Sequence, residues 1–156
     1  HMANVALAYE SRVGQEDAGT TLSVAIITRK RLDMVNVGDS RIYRIHGNQM
    51  ELLSKDHRYV SRGLKKGELY QYIGMAQEES SIAPYVREED YAPEDMILLC
   101  TDGFSEVVSE AETLEILGSP VPLEQKVLKL VDKAAENGSK DNITVILYTR
   151  GNRDEQ

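Results

Sequence analysis

The 156-residue chain sets 18 Lys and Arg against 26 Asp and Glu, a formal net charge of −8 with a pI near 4.9, so a phosphate backbone or an anionic membrane would be repelled over most of its surface. A hydrophobic share of 41% and a charged share of 28% are those of an ordinary globular domain, no apolar run approaches a membrane span, and the length suits one domain with a real core. A soluble protein without nucleic-acid or membrane binding is expected, and a single cysteine, Cys100, excludes an intramolecular disulfide and suits a reducing, cytoplasmic setting.

His1 and Met2 read as an expression scar with no signal peptide behind them, which leaves 3–150 as one domain and 151–156 as a polar tail. Ala3 to Ser11 is alanine-rich and free of breakers, predicting a short helix without an N-terminal cap. Beyond the polar loop Gly14 to Gly19, Thr20 to Thr28 is dense in β-formers. After Arg29-Lys30-Arg31, Leu32 to Val37 alternates apolar with polar, so the two segments predict a hairpin. Gly38-Asp39-Ser40 interrupts the pattern, Arg41 to His46 resumes it, and the Gly47-Asn48 turn leads into a short strand, Gln49 to Leu53. His57 has no second His or Cys at ligand spacing and is read as a structural hydrogen-bonding group. Ser54 to Gln77 reads as surface loop with a helical turn or two, its two arginines and paired lysines a solvated face. Glu78 to Glu89 reads as an acidic loop holding Pro84 and a strand around Tyr85 to Arg87, and Pro93-Glu94-Asp95 as a turn.

Met96 to Cys100 is five large apolar or thiol side chains in succession, the pattern of a strand covered on both faces. It stops at Asp102-Gly103, which delivers a carboxylate to the end of a rigid element. The bland alternative is an ordinary Asp-Gly turn. Phe104 to Val108 predicts one helical turn. Ser109 and Glu112 form a capping box opening a helix to Leu117, which Gly118 ends. Pro122 suits the first turn of another helix, lined on one face by Leu123, Val127, Leu130, Val131, Ala134 and Ala135 and stopped by Asn137-Gly138. Ile143 to Tyr148 is the last strand, with Asp141 just before it.

Three carboxylates, Asp39, Asp102 and Asp141, thus stand at strand boundaries, two beside glycine. Oxygen donors without a His or Cys cluster suit a hard cation such as Mg²⁺ or Mn²⁺. Val37-Gly38-Asp39-Ser40-Arg41, Leu99-Cys100-Thr101-Asp102-Gly103 and Gly138-Ser139-Lys140-Asp141-Asn142-Ile143-Thr144, in that order, resemble the later motifs of the metal-dependent type 2C protein serine/threonine phosphatases. Gly19-Thr20-Thr21 and the Asp56-His57 pair are similar to family positions too. The resemblance covers the C-terminal two-thirds of a catalytic domain of that kind. It implies an α+β fold, an antiparallel β-sandwich flanked by helices in four αββα layers, with the N-terminal strands missing. It further implies that Asp102 and Asp141 are ligands to two Mn²⁺ or Mg²⁺ ions and that Asp39 helps the Asp102 position hold a third, weaker one. The implied activity is attack on phosphoserine and phosphothreonine proteins by a metal-activated water.

The chain also departs from the family pattern. The family's N-terminal third carries a phosphate-gripping Arg, a Glu-Asp pair and an Asp-Gly-x-Gly-Gly motif whose Asp bridges both metals, and none of these is in the chain. Glu16-Asp17 falls in a polar loop and is not mapped to them. Tyr70-Gln71-Tyr72-Ile73-Gly74 stands in place of the more usual Thr-Arg-x-Leu-Gly. Two expectations remain open: a phosphatase seen as a weakly active or inactive piece, or a non-catalytic phosphatase-like module that regulates or binds a partner. Missing strands would leave ladder edges uncovered, predicting a homodimer through those edges or through exchange of Ala3 to Ser11.

Overall fold

The computed structural model describes residues 2–14, 18–59, 67–75 and 82–150, and the backbone alone of Arg12. The tail 151–156, His1 and the segments 15–17, 60–66 and 76–81 lie outside the described residues.

Helix α1, Met2–Gly14, overruns the expected Ala3 to Ser11 at both ends. Asn4 anchors it: its amide donates to the Met75 carbonyl at 3.2 Å, and its Oδ1 accepts from the Gly74 amide at 2.6 Å. Strands β1 (Leu22–Ile27) and β2 (Arg31–Val37) form the expected antiparallel hairpin, with Val24 opposite Val35. Thr20 and Thr28 fall outside β1; Thr20 instead makes an isolated bridge to Ile73. Strand β3 (Arg41–His46) follows as expected, and β4 (Gln49–Leu52) stops one residue short of the expected Leu53. In 54–59 and 67–75 there is no helical turn; Arg58 bridges Leu69 in an antiparallel pairing.

Strand β5, Tyr85–Asp90, runs three residues past the expected Arg87. Local sequence reads Glu88-Glu89-Asp90 as loop, but pairing against Arg31 to Asp33 overrides that tendency. The register allows it because the acids meet counter-charges. Arg31 bonds Glu88 at 2.7 Å on one face, and Arg87 donates to Glu89 at 2.5 Å and to Glu51 at 2.9 Å on the other.

Strand β6, Met96–Cys100, sits inside the sheet β4-β3-β6-β7, where β7 is Val145–Thr149; the second sheet has the order β1-β2-β5. Both faces of β6 are covered, as its unbroken apolar run predicts. Ile97 packs toward the other sheet with Leu32, Met34, Ile42 and Leu53, while Leu98 and Cys100 pack toward the helices with Phe104, Leu117, Leu130 and Ala134. Burying side chains of this size contributes about 1.5–3 kcal/mol each, so the central strand is pinned from two directions.

Helices α2 (Asp102–Ser105), α3 (Glu110–Gly118) and α4 (Leu123–Glu136) supply the helical layer. The capping box at Ser109 forms as its sequence requires, with the Glu112 amide donating to the Ser109 hydroxyl and the Ser109 amide donating back to Glu112 at 2.8 Å. In α4 the buried seam narrows to Leu130 and Ala134, with Val127 and Val131 half-buried beside it. Leu123 and Ala135 of the predicted stripe lie at its exposed margins, because a flat sheet accepts only the centre of a helical face. Antiparallel sheets packed with helices make this an α+β fold, as expected.

Candidate functional site

The register brings the ends of three strands together. Arg41, the first residue of β3, pairs with Cys100, the last of β6, and Cys100 pairs with Val145, the first of β7. Residues just before β3, just after β6 and just before β7 therefore emerge at one end of the sheet. Asp39, Asp102 and Asp141 occupy those three positions.

Asp39 is presented by a braced turn. Gly38 has φ +99°, and a side chain there would meet the Thr21 Cγ2 at 2.4 Å, so only glycine fits. The Asn36 amide donates to the Gly38 carbonyl, and the Thr21 and Ser40 hydroxyls bond each other at 2.7 Å. His57 clamps the same turn from outside: its backbone amide donates to the Gly38 carbonyl at 2.9 Å and its Nδ1 accepts from the Gly38 amide at 3.1 Å. Burial, with Lys55 nearby, holds its pKa below the ordinary histidine value. An Nδ1 that accepts a hydrogen bond belongs to neutral imidazole, in keeping with the structural role read from the sequence.

Asp102 is the first residue of α2, directly beyond β6. Asp141 lies in the loop before β7, where its Oδ1 accepts from the Asn142 amide at 2.8 Å. The two segments are stitched together at the backbone. Thr101 Oγ1 donates to the Asn142 carbonyl at 3.0 Å and accepts from the Thr144 amide at 3.0 Å, and the Ser139 hydroxyl donates to the Gly103 carbonyl at 2.7 Å. A Cβ on Gly103 would stand 2.4 Å from the Asn142 carbonyl oxygen, so the glycine permits an approach no other residue could make.

Arg58 joins the remaining pair. Its Nε and Nη2 both bond Asp39, its Nη2 donates to Asp102 Oδ2 at 2.8 Å, and its Nη1 donates to Glu106 Oε1 at 3.0 Å. The Arg58 side chain is 16% exposed and that of Asp39 7%. One of the two arginines expected on a solvated face is thus the centre of an ion cluster. Sequence reasoning missed it because its partners lie 19 and 44 residues away, and its only local signal is that it directly follows Asp56-His57. Asp56 is engaged elsewhere: Arg41 holds it through Nε at 3.1 Å and Nη2 at 2.7 Å.

Oxygen donors converging at the end of a rigid sheet have the chemistry a hard divalent cation requires, and the Gly103 approach draws the Asp102 and Asp141 segments together. The Asp39–Asp102 side already holds a guanidinium, and among the described residues no group of three or more His, Cys, Asp or Glu side chains could hold a metal ion.

Paired antiparallel sheets packed with helices, with aspartates beyond the strand ends, set the frame for comparison with known proteins. Residues 3–147 match the family described as Protein phosphatase 2C, and the chain belongs to that family. It is 34% identical over 157 residues to the serine/threonine phosphatase Stp of Listeria innocua, covering 94% of this chain and 62% of the relative. The Streptococcus agalactiae serine/threonine phosphatase shares the fold with a TM-score of 0.86 at 24% identity, over 95% of this chain and 66% of the other. The catalytic domain of the phosphatase PstP, solved with two manganese ions, aligns with a TM-score of 0.76 at 25% identity, over 92% and 65%. The chain spans less than two thirds of the length of the curated relatives it matches.

Proposed function

We propose that this chain takes part in removing phosphate from phosphoserine and phosphothreonine side chains of proteins, with Asp102 and Asp141 holding divalent metal. The observation that supports this most directly is the Gly103 approach. It ties the Asp102 turn to the Asp141 loop in a family whose relatives are serine/threonine phosphatases and whose PstP member was solved with manganese. Mn²⁺ or Mg²⁺ bound there would supply a Lewis acid and a water acidic enough to act as nucleophile near neutral pH. The chain's own residues do the positioning. Thr101 and Ser139 lock the Asp141 loop against α2, His57 and Asn36 hold the turn that presents Asp39, and Arg58 balances the charge of Asp39 and Asp102. The proposed setting is the cytoplasm, in keeping with Cys100 as a buried free thiol. No described helix is long and apolar enough to cross a membrane.

With no group of three or more His, Cys, Asp or Glu side chains able to hold a metal ion among the described residues, the 156-residue chain by itself is proposed to turn over phosphate esters slowly. The Arg58 cluster also favours a second reading, a phosphatase-like module that binds or regulates without hydrolysing. One experiment separates the two: phosphate release from a phosphothreonine peptide with millimolar Mn²⁺, run beside Asp102→Asn and Asp141→Asn. Slow turnover abolished in both variants supports the hydrolase. No turnover, with Mn²⁺ binding equal in all three proteins, removes it.

A further inference from the structure

The position between Asp39 and Asp102 is held by a cation that belongs to the chain. Arg58 reaches it from a short antiparallel pairing in which the Tyr59 amide donates to Glu68 and the Tyr70 amide to His57, so the arginine's backbone is fixed independently of the acids it meets. All three nitrogens of its guanidinium are engaged, Nε and Nη2 on Asp39, Nη2 also on Asp102 and Nη1 on Glu106. A planar fork engaged by three carboxylates, with Arg58 and Asp39 largely buried, is strongly specified. It is also incompatible with a divalent ion at the same place. A hard cation bonds carboxylate oxygen at about 2.0–2.6 Å and needs the lone pairs the guanidinium now occupies, and two cations sharing one pair of oxygens would repel each other.

We propose that Arg58 is a built-in counter-cation of the Asp39–Asp102 pair, which a divalent ion binding to that pair must displace. This rests on the proposed reading of these acids as metal-binding and makes Arg58 a positioning residue for them. In the absence of metal, Arg58 keeps three carboxylates at their places on the sheet end. In its presence, the arginine sets a threshold, so that the Asp39 side fills only at metal concentrations well above those needed by the Asp102–Asp141 side. The balance of charge allows both states: one guanidinium against Asp39, Asp102 and Glu106 leaves the cluster net negative and still attractive to a cation.

The test counts bound Mn²⁺ by the electron paramagnetic resonance signal of the free ion, on the 156-residue chain and on Arg58→Ala and Arg58→Lys, with melting temperature read in EDTA and in Mn²⁺. For Arg58→Ala the weakest detectable Mn²⁺ site should tighten by roughly tenfold or more. Its melting temperature should fall in EDTA and recover in Mn²⁺ by more than the parent gains. Arg58→Lys, a charge without the fork, should lie between the two in affinity. Asp39→Asn combined with Arg58→Ala should lose the gain, which ties it to this pair. If Arg58→Ala does not fold in EDTA, recovery of its circular dichroism on adding Mn²⁺ supports the proposal, and failure to recover overturns it. Unchanged or weaker Mn²⁺ binding in Arg58→Ala, with the parent binding normally, overturns the counter-cation role while leaving the metal reading intact. No Mn²⁺ binding by any of the proteins overturns both.

Discussion

Gly103→Ala is the smallest change that moves the proposed site without removing a ligand. The new Cβ would sit 2.4 Å from the Asn142 carbonyl oxygen and 3.3 Å from that of Asp141, whereas ordinary contact begins at 3.4 Å. The obstacle is backbone, so the Asp141 loop must back away from α2 by about 1 Å, a shift that overpacking costs place at about 1–3 kcal/mol. Alanine's better helix propensity returns up to about 1 kcal/mol, leaving a net loss of about 1–2 kcal/mol, or roughly 2–8 °C in Tm for a chain of this size. A metal site tolerates only about 0.2 Å in ligand distance, so Mn²⁺ affinity should fall by tenfold or more while the fold survives. Gly118→Ala is the matched control, because a Cβ there meets nothing within 4 Å. Differential scanning calorimetry and Mn²⁺ titration calorimetry on both variants decide the matter. If Gly103→Ala matches Gly118→Ala in both stability and metal affinity, the close approach does not hold the site together.

Cys100 is 4% exposed and its thiol is pushed up to about 12 by burial, so iodoacetamide should leave it unmodified in the native protein at pH 8 and alkylate it once urea unfolds the chain. Modification of the folded protein at the unfolded rate would contradict the double coverage of β6. Glu112 is held down from 4.5 to about 2, chiefly by the Ser109 hydroxyl, then by the Ser109 amide and Asn137. A depressed carboxylate contributes stability that is complete above its unfolded pKa and is lost as pH falls through the folded one. The Tm difference between the parent and Glu112→Ala should therefore be constant above pH 5 and shrink between about 4.5 and 2; a difference that persists at pH 2 would rule out the capping charge as its source. The outer face of the three-stranded sheet leaves Ile26 56% and Val86 62% exposed, and Tyr9 and Val13 of α1 are exposed as well. We therefore expect the 156-residue chain to dimerise at micromolar concentration, which sedimentation equilibrium would refute by returning 17.5 kDa.

The parts of the fold that could be read from the sequence are those whose determinants are local. Met96 to Cys100 announces double burial through its unbroken apolar run, and Ser109-x-x-Glu112 specifies its helix start within four residues. Where the determinants are distant, local reading fails in a consistent direction. Glu88 to Asp90 looks like loop until Arg31 and the Glu51–Arg87 bridge supply the charge that lets it pair. Arg58 looks like surface until Asp39 and Asp102 appear beside it. Both are ion pairs bridging segments far apart in the chain, and hydrophobic periodicity carries no record of such pairs.

The same register that makes the site legible also creates its electrostatic problem. Because β3, β6 and β7 alternate in direction, the start of β3, the end of β6 and the start of β7 must share one end of the sheet, and an aspartate lies two to four residues beyond each. Carboxylates crowded at a sheet end repel one another and would open the turns that present them unless positive charge stands close by. Arg41 does not relieve this, since its guanidinium is taken up by Asp56. Arg58 ties the Asp39 turn to the start of α2, and the proposed metal reading then gives an order of binding steps, with the Asp102–Asp141 side taking metal while Arg58 stays in place and the Asp39 side filling only once it is displaced. A Mn²⁺ titration of the parent protein should accordingly resolve two phases, and a single phase of uniform affinity would show that the arginine leaves both sides equally open.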